Sequence, residues 1–207
     1  MNFQIHCPTL EEFYASLEDI EHPVILLEGS RQVLQEHENA LTQVGAFLAE
    51  TMPHALFRSG NAEGSDSLFA AGVASVDPTR MQVVTPTPGH RKKNLHPDYD
   101  VTALNQVSSV HEEHLAVVSN AATPANQTLM ENRNKIPRLG AKARYLLRDT
   151  LKVLGDPENK LAPANAALFY TKPDPMSAGT GHTIRVCQQH HVPYVLFNQW
   201  VSWLPKG

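Results

Sequence analysis

Val24-Ile-Leu-Leu27 sets four branched apolar residues in succession and closes on Glu28-Gly-Ser-Arg31. The run is too short for an ordinary helix and lacks the alternation of a strand with one wet face. It reads as a strand buried on both faces, which belongs in a parallel sheet, and parallel strands need crossovers that are usually helical. Four further runs fit that demand: Ala55-Leu-Phe57, Met81-Gln-Val-Val84, Ala166-Ala-Leu-Phe-Tyr170 and Tyr194-Val-Leu-Phe197. Helical spacing recurs between them. Thr9-Leu-Glu-Glu12 has the form of a capping box for a helix over 9–20 with Leu10, Phe13, Leu17 and Ile20 on one side. Leu34, Leu41, Val44 and Leu48 mark a helix between Val33 and Thr51, and small apolar residues mark another over 67–76.

From about Asn94 to Pro163 strand signals vanish, and polar helical patterns appear over 101–119, about 125–132 and 138–154. The expected fold is therefore α/β: a Rossmann-like, open, mostly parallel five-stranded sheet with helices on both faces. A helical insertion, about 94–163, lies between strands three and four. Residues 1–207 are expected to form a single Rossmann-like domain, with strand order 3-2-1-4-5. In that order the loops after strands one, two and four converge on one crevice.

Those loops are rich in glycine and hydroxyls: Gly29-Ser-Arg31, Ser59-Gly-Asn-Ala-Glu-Gly-Ser-Asp66, and Ser177-Ala-Gly-Thr-Gly-His-Thr183. A glycine turn between strand and helix lets backbone amides approach an anion, which the helix N-terminus favours. The three loops resemble those of the SLOG superfamily, the Rossmann-like group that includes Lonely Guy phosphoribohydrolases and the DNA-processing protein DprA. The resemblance covers about 24–90 and 164–200 and implies a phosphate-containing nucleotide derivative across the loops. It also implies that a homodimer is expected, since members are often oligomers. The Lonely Guy hydrolases carry a catalytic Glu in a PGGxGTxxE signature; aligned on Gly179-Thr180, that position here is Thr183.

The main expectation is a protein that binds or senses a nucleotide-derived ligand. The contacts expected are Gly29, Ser30, Arg31, Gly60, Asn61, Gly64, Asp66, Ser177, Gly179, Thr180, Gly181, His182 and Thr183. Each has a structural alternative: the glycines as turn formers, the hydroxyls and Asp66 as helix caps, His182 as a helix-entry residue. The favoured reading of Asp66 is structural. Two other functions stay open. One is a nucleotide N-glycosidase with His182 or Glu63 in place of the absent Glu. The other is single-stranded nucleic-acid binding through Arg91, Lys92, Lys93 and the stripe Arg144, Arg148 and Lys152.

That stripe reads as a solvated helix face. A net charge of −4 argues against a dedicated nucleic-acid coat, so nucleic acid is not expected as a partner. No apolar run approaches a membrane span, and the N-terminus has no signal-peptide layout, so a cytoplasmic protein without a membrane partner is expected. Cys7 and Cys187 have no metal or disulfide spacing, and no cofactor is expected beyond the nucleotide ligand. His111 and His114 have the spacing of a metal pair without an evident third ligand, so a packed pair is expected. The apolar terminus Trp200-Val-Ser-Trp203 fits either the core or a second subunit.

Overall fold

The computed structural model describes residues 9–171 and 178–204. Its sheet has six strands: β1 (Val24–Gly29), β2 (Leu56–Ser59), β3 (Met81–Thr85), β4 (Asp100–Ala103), β5 (Ala166–Tyr170) and β6 (Tyr194–Leu196). The order is β4-β3-β2-β1-β5-β6. Every neighbouring pair is parallel. The expected order survives intact, with one strand added at its edge.

That strand corrects the helix expected over 101–119. Asp100 and Val101 are exposed while Thr102 and Ala103 are buried, so β4 is an outer strand with little apolar signal. It pairs Val84 with Thr102, after which the chain turns into α4 (Ser109–Ala122). The other helices are α1 (Leu10–Ala15), α2 (Gln35–Thr51), α3 (Ser65–Ala74), α5 (Gln127–Glu131), α6 (Pro137–Leu154), α7 (Ala178–Gln189) and α8 (Phe197–Trp200). The Thr9–Glu12 capping box forms at the head of α1. Proline near the start of α6 and Gly155 (φ 71°) at its end bound that helix as helix-end chemistry requires.

The two faces of the sheet are covered differently. Alternate strand residues, among them Ile25, Leu27, Phe57, Met81, Val83 and Leu168, pack with Leu41, Val44 and Leu48 of α2 and with Phe69 and Val73 of α3. Trp200 is fully buried in this core and donates from Nε1 to the Phe169 carbonyl (3.1 Å). The tail thus packs on its own sheet. Here α2 and α3 touch through their backbones: a Cβ on Gly72 would lie 2.0 Å from the Thr42 carbonyl oxygen, and one on Gly45 2.5 Å from that of Phe69.

The opposite face carries α4, α6 and α7 and two separate apolar clusters. Leu26, Ala167 and Phe169 meet Val118, Val153, Ile184 and Cys187 in one. Val84 meets Leu115, Leu147 and Leu151 in the other. Strand β2 runs between β1 and β3, and on this face it presents Arg58. The two clusters are divided by buried charge.

Candidate functional site

Arg58 is fully buried, and its guanidinium meets only neutral oxygens. It donates to Gln82 Oε1 (2.7 and 3.1 Å), to the Lys152 carbonyl (2.9 Å) and to the Ala162 carbonyl (2.8 Å). Burial lowers its pKa to about 10. One strand over, Glu28 turns to the same face, where Lys152 Nζ reaches Glu28 Oε2 at 2.5 Å and Asp149 Oδ1 at 3.0 Å. Arg148 donates twice to Asp149 Oδ1, from Nη2 (2.6 Å) and Nε (3.0 Å). Asp149 therefore holds two cations and keeps a lowered pKa despite burial. Glu28 shares only the ammonium, lies near Asp149 and Asp66, and is pushed by desolvation up to about 7.

These groups correct the expectation of a solvated basic stripe. Arg144 is exposed, but Arg148 and Lys152 are 5 % and 0 % exposed. Periodicity showed that they share a side of the helix, without showing that this side faces a sheet carrying Glu28. The insertion is thus the layer that covers one face of the sheet, and it brings buried ion pairs with it.

The glycine loops close mainly on protein. Asp66 accepts from the backbone amides of Gly29 (3.4 Å), Gly60 (3.2 Å) and Ala62 (3.2 Å), joining the loops after β1 and β2. It occupies the position an anion would take in an amide cradle. A Cβ on Gly29 would stand 2.1 Å from the Tyr170 carbonyl oxygen, and one on Gly60 2.9 Å from Arg148 Cζ. Gly64 has φ 79°, and a Cβ there would lie 2.3 Å from the Arg31 carbonyl oxygen. The Ser30 amide donates to the Tyr170 carbonyl (2.8 Å), and the Ser30 carbonyl accepts from the Ser65 amide (3.1 Å) and hydroxyl (2.8 Å).

The third glycine segment differs from its expected form. Gly179, Thr180, Gly181, His182 and Thr183 lie in the first turns of α7 rather than in a turn before it, while Ser177 falls outside the described residues. A Cβ on Gly179 would sit 3.4 Å from Asp149 Oδ2 on α6, an ordinary van der Waals contact, so packing there does not require the glycine. Thr183 Oγ1 donates to Glu28 Oε1 at 3.0 Å. His182 is 1 % exposed, with its ring among the hydroxyls of Thr123 (2.9 Å), Thr150 (3.1 Å) and Ser119 (3.4 Å). Burial lowers its pKa. Glu63, the other catalytic candidate, is exposed and pairs with Arg91 Nη2 at 3.3 Å.

Around Tyr145 of α6 the described residues gather a mixed aromatic and cationic cluster. Arg31 Cζ stands over the ring at 5.8 Å and Arg148 Cζ at 5.5 Å, with the His90 ring edge-on at 5.9 Å. Arg91 follows His90, and its buried Nη1 has no hydrogen-bond partner among the described residues. Asn61, in the left-handed region at φ 53°, donates to the carbonyls of His90 (3.2 Å) and Arg91 (3.4 Å). It ties the β2 loop to the cationic β3 loop, where Lys92 and Lys93 are exposed. Tyr145 carried no sequence signal, since Arg31 and His90 reach it from two separate loops. His111 and His114 stack at 6.0 Å, and His111 Nε2 bonds the Gly155 carbonyl (2.9 Å). No three potential metal ligands cluster among the described residues, and no described helix is long and apolar enough to cross a membrane.

No protein-family model matches the sequence. No curated protein matches it either. A solved structure of DNA processing protein A from Helicobacter pylori, described as having a unique single-stranded DNA binding mode, shares the fold. Its TM-score is 0.50 at 14% identity, over 87% of this chain and 67% of that one. The expectation that nucleic acid is not a partner is thereby overturned. A net charge of −4 describes the whole surface and conceals the local cationic cluster at Arg31, Arg91 and Arg148.

Proposed function

We propose that this chain binds single-stranded nucleic acid in the crevice at the C-terminal ends of its strands. The observation that carries the reading is the Arg31, Tyr145 and Arg148 stack, with His90 and Arg91 at its border. Guanidinium planes and aromatic rings stack bases of any sequence, while their N–H groups and charge take the phosphates. Arg31 is exposed and donates outward, while half-buried Arg91 adds positive charge beside it. Lys92, Lys93 and Arg144 extend the positive surface. Because Asp66 engages the amides of Gly29, Gly60 and Ala62, side-chain cations rather than a glycine cradle take the phosphate in this reading. The fold likeness to a DNA-binding neighbour supports it, as does the sequence resemblance to the superfamily containing DprA.

The test is binding of a labelled oligothymidylate, followed by anisotropy over a range of salt. Affinity falls with salt, with a slope of about −0.7 for each phosphate neutralised on a single strand. Arg31→Ala with Arg91→Ala lowers the magnitude of that slope by about 1.4. Absence of binding at low salt refutes the proposal.

A second reading, a nucleotide-derived small ligand, is favoured by the strand order. The order in which the chain adds strands reverses between β1 and β5, where open α/β folds place ligands. Mononucleotides that raise the melting temperature and displace the oligonucleotide would support one shared crevice. A ligand at 100 times its Kd stabilises by about 2.7 kcal/mol. Stabilisation by a mononucleotide without any oligonucleotide binding would favour the small ligand alone.

A further inference from the structure

His90 stands where three positive groups converge. Arg148 approaches from α6, Arg31 from the loop after β1 and Arg91 from its own loop, while the Tyr145 ring closes one side at 5.9 Å. On this border Glu63, from the loop after β2, is engaged with Arg91. Asp149 is engaged with Arg148. The imidazole therefore sits near three guanidiniums, two of which hold acidic partners of their own. Its backbone is fixed from two sides, by its amide on the Thr87 carbonyl (3.2 Å) and by Asn61 on its own carbonyl.

We infer, on the reading that the crevice binds nucleic acid, that His90 couples binding to protonation: a phosphate seated among Arg31, Arg91 and Arg148 draws a solvent proton onto the imidazole. An empty crevice repels that proton, since a fourth positive charge would be added to three. A seated phosphate reverses the local potential and gives the imidazolium N–H an acceptor. Burial and the same three guanidiniums hold free His90 below its usual value of 6.5, so it is neutral at pH 7 before binding. The bound pKa lies above the free one. Affinity thus rises as pH falls through the bound value and levels off below the free value. The crevice grips a strand more firmly on the acid side of neutrality, and binding itself consumes protons.

The experiment is oligothymidylate binding to the whole chain between about pH 5.5 and pH 8.5, bracketing histidine titration, at fixed ionic strength. Calorimetry in two buffers of different ionisation enthalpy counts protons. Affinity rising several-fold toward acid, with uptake of a fraction of a proton up to one, is the expected result. His90→Gln abolishes both the slope and the uptake, whatever its own affinity. Glu28→Gln, which removes the buried carboxyl pushed up to about 7, leaves them in place. Binding that ignores pH, or a slope that persists in His90→Gln, overturns the inference while leaving the binding reading standing. No binding at any pH removes the binding reading and this inference with it.

Discussion

The two faces of the sheet follow different rules of stabilisation. Against α2 and α3 the strands bury an unbroken apolar core, including Phe57, Phe69 and Trp200. Against α4, α6 and α7 they bury Glu28, Arg58 and Gln82, and α6 answers with Arg148, Asp149 and Lys152. Apolar packing tolerates rearrangement of similar volume, whereas buried charge penalises every arrangement that leaves a partner behind. The apolar face supplies a foundation, and the charged face fixes α6 in register and with it Tyr145.

The largest contrast comes from breaking a partner on the charged face. Lys152→Ala leaves Glu28 and Asp149 short of a counter-ion and costs about 3–5 kcal/mol in chemical denaturation. Lys152→Met with Glu28→Gln recovers most of that loss, because removing both ends removes the unpaired charge. Leu48→Ala on the other face costs a comparable 2–5 kcal/mol by cavity formation, but a second truncation nearby deepens it. Compensation on one face and its absence on the other is the outcome to look for.

Next comes the pH response. The folded pKa of Glu28, about 7, lies above its ordinary 4.5, so its contribution is fully present below about 4.5 and is lost as pH rises through 7. The whole interval is worth on the order of 3 kcal/mol. Glu28→Gln removes that decline. His182 acts in the opposite sense: its folded pKa is below 6.5, so its contribution is present above 6.5 and is lost as pH falls from there through the lower folded value. Ser119, Thr123 and Thr150 give the ring neutral hydroxyl partners. Leu48→Ala shifts the stability curve without changing its dependence on pH, measured by urea denaturation across the same range.

Smaller effects mark the border of the crevice. Asn61→Ala loses two bonds to the cationic loop and puts Ala in a left-handed backbone that Asn tolerates better, so thermal unfolding reports a loss of about 1 kcal/mol or more, with weaker oligonucleotide binding. Arg31→Ala changes stability by less than about 0.5 kcal/mol, as exposed substitutions do, yet lowers affinity and the salt slope. A large stability loss from Arg31→Ala would mean that its stack on Tyr145 belongs to the fold.

The apolar face was largely legible in the sequence because its signal is local. Val24–Leu27 and Ala166–Tyr170 read as strands from their own composition, and Leu41, Val44 and Leu48 show their helix by spacing. β4 was missed because its two buried residues, Thr102 and Ala103, are an edge strand's whole signal. On the charged face the signal is relational. Glu28 resembles any polar strand end and Lys152 any helix lysine, and only the fold reveals that they meet across 124 residues. Tyr145 gains meaning in the same way, from Arg31 and His90 on distant loops.

The glycine contacts between α2 and α3 have a mechanical consequence. With Gly72 seated on the Thr42 carbonyl and Gly45 on that of Phe69, the two helices cannot slide past one another without backbone collision. Arg31 lies a few residues before α2, and the Gly60–Gly64 loop leads into α3. Arg31 and that loop are therefore mounted on one rigid strut, while Tyr145 rides on α6 across the sheet. The stack of Arg31 on Tyr145 thus joins elements mounted on opposite faces of the sheet, and its geometry reports on how firmly the ionic layer holds α6 in place.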